Sequence, residues 1–310
     1  MGLRVVFMGT PQFAVPSLHA ISEKHQVLGV YTQPDRSVGR GLSLRPSAVK
    51  LTALKLGLPV FQPEKLSLPG EFEQLCDLRP DVIVVVAYGQ ILKKNVLNFP
   101  RLGCINVHSS LLPRWRGAAP IQWALLSGDS ESGVSTMQLV EKLDAGPVFL
   151  QVKTLISERE TFQTLHDRLA EIGAQLVLPT LLGLEEGSLH SQVQDESQVK
   201  YASRLTKEME RLDPRETAFS LDCRVRALNP WPGTSVQVGE RLKIRQAQFH
   251  PEIQGPVGKI FERTGMVLLG TSQGSLELIR LQWEGKKEVG PSQFLNGLKG
   301  RGQSLPLDLD

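Results

Sequence analysis

Short β-branched runs alternate with amphipathic stretches through the first half of the chain. The runs Leu3–Met8, Val27–Tyr31, Leu58–Phe61, Asp81–Val86 and Cys104–Val107 have strand length, and helical stripes lie between them. This is the pattern of a parallel sheet with crossover helices. In Pro11–Ser22 the stripe is Phe13, Leu18 and Ile21, with Pro16 tolerated only near the helix start. A short helix follows Val86, and Ala119–Leu126 reads as another. Val134–Leu139 and Val148–Ile156 read as a later hairpin pair, and Thr161–Leu182 as a long helix carrying Phe162, Leu165, Leu169, Ile172, Leu176 and Val177 on its apolar positions.

The texture changes at Gly187–Ser203, which is polar and without period, as a linker is. Beyond it Pro214–Leu228 reads as a short helix. Ser235–Val238, Arg241–Ala247, Gly258–Arg263, Met266–Leu269 and Ser275–Trp283 are brief alternating runs broken by glycine, five strands suited to a small barrel of OB type. The last dozen residues read as a free tail. The expected architecture is therefore α/β. A Rossmann-like, doubly wound, mostly parallel sheet spans residues 1–186, a linker 187–206, and an OB-like β-barrel domain 207–310.

Composition narrows the class. The chain has 310 residues, 41% hydrophobic and 22% charged, which suits one large or two medium cores and excludes a fibre or a disordered chain. No apolar run approaches the roughly 20 residues of a membrane helix, so no membrane partner is expected. The start, Met1-Gly2-Leu3-Arg4, carries no signal or transit pattern. Cys76, Cys104 and Cys223 are odd in number and without metal spacing, so a reducing cytoplasm and no metal are expected. A net charge of +3 announces nothing by itself. Its distribution does: Arg36, Arg40, Arg45 and Lys50 fall within residues 35–50 against the single acid Asp35.

A polar side chain at the carboxyl end of a parallel strand projects into the crevice where doubly wound sheets hold ligands. In Cys104-Ile105-Asn106-Val107-His108, alternation puts Asn106 and His108 on one side of the strand. An amide that can hold a developing oxyanion beside an imidazole that can move a proton suits acyl transfer, while a structural Asn and His would serve equally at a strand end. The run from Ser109 through Pro113, Arg114-Trp115-Arg116-Gly117-Ala118-Ala119-Pro120 that follows is too idiosyncratic for a generic turn.

With Asn106 and His108, this run resembles the signature of the 10-formyltetrahydrofolate-dependent formyltransferases. The resemblance implies the formyltransferase fold and 10-formyltetrahydrofolate as co-substrate, without a metal. It places Ser110, Leu111, Leu112 and Pro113 against the folate; Arg114 and Arg116 read alternatively as stacking on Trp115 at the surface and stay outside the catalytic assignment. Leu143-Asp144-Ala145-Gly146-Pro147 resembles the family's loop with the catalytic Asp, so Asp144 would pair with His108 and fix its orientation. Ala87-Tyr88-Gly89 resembles a backbone-lined pterin pocket, though a strand-to-helix turn needing glycine reads the same. Ser109 departs from the glycine expected of many relatives. After the first strand, Met8-Gly9-Thr10-Pro11-Gln12-Phe13-Ala14 has one glycine of a dinucleotide fingerprint, which argues against nicotinamide. His19, His25, His166, His190 and His250 lie in no such constellation.

The acceptor turns on Pro34–Pro46, an insertion longer than a strand-to-helix connection normally is. A solvated basic loop is one reading. Its Gly39-Arg40-Gly41 core and flanking Gln33-Pro34-Asp35-Arg36 resemble the loop that methionyl-tRNA formyltransferases drive into the acceptor stem, which implies contacts from Arg36, Arg40 and Arg45. The resemblance runs from residue 3 to about residue 300. It implies transfer of a formyl group to the α-amino group of methionyl initiator tRNA, for initiation of protein synthesis, by a monomer. Asn229-Pro230-Trp231-Pro232-Gly233-Thr234 resembles the family too, and on physical grounds reads as a rigid turn with a buried indole, not a binding site. A sugar-nucleotide N-formyltransferase would have no use for the arginine insertion, a folate hydrolase none for a tRNA-sized surface, and an inactive RNA-binding protein none for Asn106, His108 and Asp144.

Overall fold

The computed structural model describes residues 2–38 and 43–310. The chain runs β1 (Arg4–Gly9), α1 (Val15–Lys24), β2 (Gln26–Tyr31), β3 (Arg36–Val38), β4 (Ser43–Arg45), α2 (Ala48–Lys55), β5 (Val60–Phe61), α3 (Pro69–Asp77), β6 (Val82–Val86), α4 (Lys94–Leu97), β7 (Cys104–His108), β8 (Arg116–Gly117), α5 (Pro120–Leu126), β9 (Glu131–Gln138), β10 (Val148–Leu155), α6 (Phe162–Glu186) and β11 (Tyr201–Ala202). It continues with α7 (Ala218–Leu228), β12 (Ser235–Val238), β13 (Glu240–His250), β14 (Lys259–Arg263), β15 (Met266–Gly270), β16 (Ser275–Trp283), α8 (Pro291–Gly300) and β17 (Leu307–Asp308). Two compact units result. The first takes Met1–Pro120, Glu131–Leu155 and Leu165–Ala202; the second takes Ile121–Ser130, Ile156–Thr164 and Ser203–Asp310.

Seven strands of the first unit form one sheet in the order β5-β2-β1-β6-β7-β9-β10. The five from β5 to β7 are parallel, and the β9–β10 hairpin adds antiparallel to β7. All five residues of β6 are buried valines and isoleucine, as a strand covered on both faces requires. The chain winds outward through β2 and β5, then restarts at β6 on the other side of β1. The winding therefore reverses between β1 and β6, and the ligand crevice of such a sheet opens at their carboxyl ends. Two glycines set close approaches here: a Cβ on Gly9 would meet Ala14 at 2.9 Å, and one on Gly173 of α6 would meet Val107 of β7 at 2.9 Å.

Between Pro34 and Pro46, where the sequence reads a single loop, β3 and β4 pair as an antiparallel hairpin with Arg36 opposite Arg45. Three-residue strands are too short to leave a period. Arg40 lies outside the described residues. The polar stretch after Gly187 is ordered as well. A single helical turn at Glu196–Gln198 and the pairing of β11 with β8 build it into the first unit through hydrogen bonds, with no apolar stripe to announce them.

In the second unit six antiparallel strands run β12-β13-β16-β15-β14-β17 around a core of Leu242, Ile244, Ile260, Leu276 and their neighbours. The chain end is not a free tail. β17 pairs with β14, Leu305, Leu307 and Leu309 pack against the core, and the Asp310 amide donates to Gln237 of β12 at 3.1 Å, which joins the two ends of the sheet. The alternation Leu305-Pro306-Leu307-Asp308-Leu309 carries that strand. Trp231 also departs from expectation: its indole is 58% exposed. Prolines on both sides hold the turn without burying the ring.

Candidate active site

β7 ends at the crevice with Asn106 and His108 9% and 6% exposed on the same side of the strand. No hydrogen bond within the described residues holds the Asn106 amide, whereas His108 is fixed: its Nε2 lies 2.9 Å from the Trp115 carbonyl oxygen. A carbonyl only accepts, so Nε2 carries a proton, and in the neutral ring Nδ1 is the basic nitrogen. Nδ1 faces Asp144 Oδ2 at 3.9 Å, within ion-pair reach and too long for a hydrogen bond. That same Oδ2 accepts the Gly117 amide at 2.8 Å. The hydrogen bond that orients His108 is therefore Trp115's, because Asp144 already serves the backbone of the neighbouring loop.

Both loops that present these groups are bent into left-handed backbone, with φ of 65° at Trp115, 47° at Asp144 and 120° at Gly117. Non-glycine residues adopt this region at a cost of roughly 1–3 kcal/mol and keep it only where their surroundings enforce it. Arg116 supplies part of that enforcement. Only Arg114 of the two arginines stacks on Trp115, at 4.5 Å; Arg116 is fully buried, donating to Gln194 and to Glu196, each at 2.9 Å. Hydrogen bonds from Arg116 and Lys142 hold the Glu196 carboxyl down to about 2. The Gln194 amide in turn donates to the Asp144 and Gly146 carbonyls at 2.8 and 2.7 Å.

The segment from Ser110 to Pro113 is clamped from below. Ser135 of β9, opposite His108 in register, donates to the Ser110 carbonyl at 2.6 Å and accepts from the Leu112 amide, while Gln151 donates to the Leu112 carbonyl. Ser110 spends its hydroxyl on the Arg114 carbonyl, and Leu112 packs with Met137 and Val148. The loop thus offers a ligand its backbone and the edges of Leu111 and Pro113, not the Ser110 and Leu112 side chains. Across the crevice, Ala87 and Gly89 are exposed with φ of 48° and 88°, while the Tyr88 side chain turns into the core. The Thr10 hydroxyl ties β1 to this turn through the Tyr88 carbonyl at 2.9 Å. A Cβ built on Gly89 would lie 3.7 Å from the Gln33 side-chain amide, an ordinary contact, so the exposed backbone of this turn is flanked by Gln33.

Asn106, His108, Asp144 and the 110–113 segment therefore converge, and the 87–89 turn lies at the same carboxyl edge of the sheet. Arg36 and Arg45 lie on the β3–β4 hairpin, and Arg36 donates at 3.2 Å to Gln33, whose side chain lies beside Gly89. The base of the hairpin is pinned by Asp35, which accepts from Lys50 at 2.7 Å and from Gln62 at 2.8 Å. Ser135, Gln151, Arg116 and Gln194 escape a reading of the sequence, since lone polar residues carry no period. A groove of about 690 Å³ lined by Arg4, His25, Asp81 and Glu185 lies at the amino ends of the strands, away from this chemistry. No group of three or more metal-ligating side chains occurs among the described residues, and no described helix is long and apolar enough to cross a membrane.

Residues 3–181 match the formyl transferase family model and residues 204–299 the model for the formyl transferase C-terminal domain. The chain belongs to the formyl transferase family. It is 47% identical over 306 residues to the methionyl-tRNA formyltransferase of Methylococcus capsulatus, covering 98% of this chain and 99% of that relative. Among solved structures it resembles an N-formyltransferase of Helicobacter canadensis, crystallised with folinic acid and dTDP-3-aminofucose (TM-score 0.69, 19% identity, 89% of this chain and 98% of that one). It also resembles HypX of Aquifex aeolicus, of which it spans half the length (TM-score 0.65, 17% identity, 97% of this chain). These two likenesses concern the fold alone. The expected architecture, a mostly parallel formyltransferase sheet followed by an antiparallel C-terminal domain, holds.

Proposed function

We propose that this chain transfers the formyl group of 10-formyltetrahydrofolate to the α-amino group of methionyl initiator tRNA, acting as a cytoplasmic monomer. The convergence of the Asn106 amide with the His108–Asp144 pair at the carboxyl end of β7 carries this reading. The folate supplies the activated formyl carbon. It would lie between the backbone of Ser110–Pro113 and the Ala87–Gly89 turn.

The attacking group must be a free amine, and a reference α-amino pKa of about 7.7–8.0 leaves only modest base assistance to provide. Asn106 Nδ2–H donates to the oxygen on which negative charge develops. His108 Nδ1 takes the proton the amine loses, and the Asp144 carboxylate 3.9 Å away stabilises the imidazolium so formed. Nε2–H stays on the Trp115 carbonyl throughout, keeping the ring aimed. The proton then passes from Nδ1 to the departing nitrogen.

The hairpin supports tRNA as the acceptor. Arg36 and Arg45 are direct cross-strand partners, and like charges so placed repel unless an anion lies over them. With Arg40 they would grip the acceptor stem, while residues 207–310 carry the body of the tRNA. The deciding experiment supplies 10-formyltetrahydrofolate with charged initiator tRNA or with an amino-sugar nucleotide. Formylation of the tRNA alone is expected; formylation of the sugar alone would overturn the reading.

A further inference from the structure

The Asp144 loop is held from behind by a segment the sequence reads as a linker. Gln192 pairs with Val148 through two backbone hydrogen bonds of 2.8 and 2.7 Å, and Glu196 binds Lys142 at 2.7 Å. Between them Gln194, 7% exposed, sends its side chain under the loop. Its orientation is unambiguous: Arg116 Nε can only donate, so Oε1 faces the arginine and the NH₂ faces the protein's carbonyls. The two N–H groups are then shared between the Asp144 and Gly146 carbonyls, and all polar atoms of the amide are used.

The consequence falls on the Asp144 backbone. Its φ of 47° is unfavourable for a residue with a Cβ and persists only if both ends of the loop are fixed. One end is fixed by the Gln138 amide, which donates to the Pro147 carbonyl at 3.0 Å, an approach that Gly146 allows because a Cβ there would clash with the Gln138 carbonyl oxygen. Gln194 fixes the other electrostatically, and the bend between them delivers Oδ2 to Gly117 N–H and to the His108 ring. Arg116 closes the circuit, because its backbone continues directly into Gly117 while its guanidinium holds Gln194.

We infer that Gln194 is a positioning residue: its amide, oriented by buried Arg116, sets the gap between the Asp144 carboxylate and His108 Nδ1. This rests on the proposed role of Asp144 in formyl transfer. The test is a double-mutant cycle on the full chain with 10-formyltetrahydrofolate and charged initiator tRNA, using Gln194→Met, Gln194→Glu and Asp144→Asn. Gln194→Glu keeps the size and the Arg116 contact and removes the donors, so it serves if Gln194→Met does not fold. Either variant should lower kcat about 10- to 100-fold, as a misplaced catalytic group commonly does, with KM for both substrates within about twofold. Added to Asp144→Asn, it should cost less than about twofold more, because the two residues act through one group. A Gln194 variant with wild-type kcat, or one whose loss multiplies fully with that of Asp144→Asn, overturns the inference while leaving the function intact. Wild-type kcat in Asp144→Asn overturns both.

Discussion

At the scale of single residues, His108 gains its directionality from a backbone carbonyl. Trp115 takes Nε2–H and leaves Nδ1 for Asp144 and the reacting amine, so replacement of any of the three polar groups removes a different part of one operation. Asn106→Ala, His108→Ala and Asp144→Ala should each lower kcat by roughly 10² or more with the fold retained, measured by single-turnover formyl transfer on variants with wild-type circular dichroism. A near-normal rate in His108→Ala would refute the assignment. Trp231 gives a contrasting prediction. A buried indole would cost about 3–5 kcal/mol on truncation to alanine, but one 58% exposed should cost under about 1 kcal/mol, as read from urea unfolding midpoints. Asn106 and His108 were legible in the sequence because a strand's period of two puts them together, and Asp144 because its loop resembles the family's. Gln194 and Ser135 were not, because a solitary side chain-to-backbone hydrogen bond has no period and is defined only by what lies opposite it in space.

At the scale of elements, the strands of the parallel sheet announced themselves as apolar runs, and the segments that deviated were those stabilised by pairing. β3 and β4 span three residues each and hold by their mutual ladder; β17 spans two and holds by its seat on β14. Removing residues 304–310 should therefore cost the second unit on the order of 2–4 kcal/mol, the share of three partly buried leucines. It should also expose the β14 edge to self-association, seen as a lower melting temperature and light scattering on concentration. A truncated chain as stable as wild type would make the end a tail after all. A second test concerns His250 at the end of β13. Burial opposes its charged form, but Glu277 at 2.9 Å and Glu252 at 3.0 Å each accept one ring N–H and hold its pKa above 6.5. A group whose folded pKa is raised stabilises fully below its unfolded value and loses that contribution as pH rises through the folded one. The melting-temperature gap between wild type and Glu277→Gln should therefore be widest below pH 6.5 and close in the alkaline direction. A gap independent of pH would refute the clamp.

At the scale of the whole molecule, the excess charge is small and its effect depends on where it is free. Lys50 is neutralised by Asp35 at the base of the β3–β4 hairpin, while Arg36, which donates to Gln33, and Arg45 are cross-strand partners that make no ion pair among the described residues. Such a pair costs stability in the free protein and recovers it on binding a polyanion, so its contribution should depend on ionic strength in a way that catalytic groups do not. Arg36→Ala and Arg45→Ala should each raise KM for charged initiator tRNA. Each should also flatten the dependence of log KM on log salt by about 0.7–0.9, the value of one lost phosphate contact. Arg40→Ala, at the same loop, should act alike. KM for 10-formyltetrahydrofolate should stay at its wild-type value across the same salt series, because among the described residues neither Arg36 nor Arg45 bonds to the 110–113 segment. If instead folate KM rises while the tRNA salt slope is unchanged, the hairpin serves the co-substrate, and tRNA must be held by some other part of the surface.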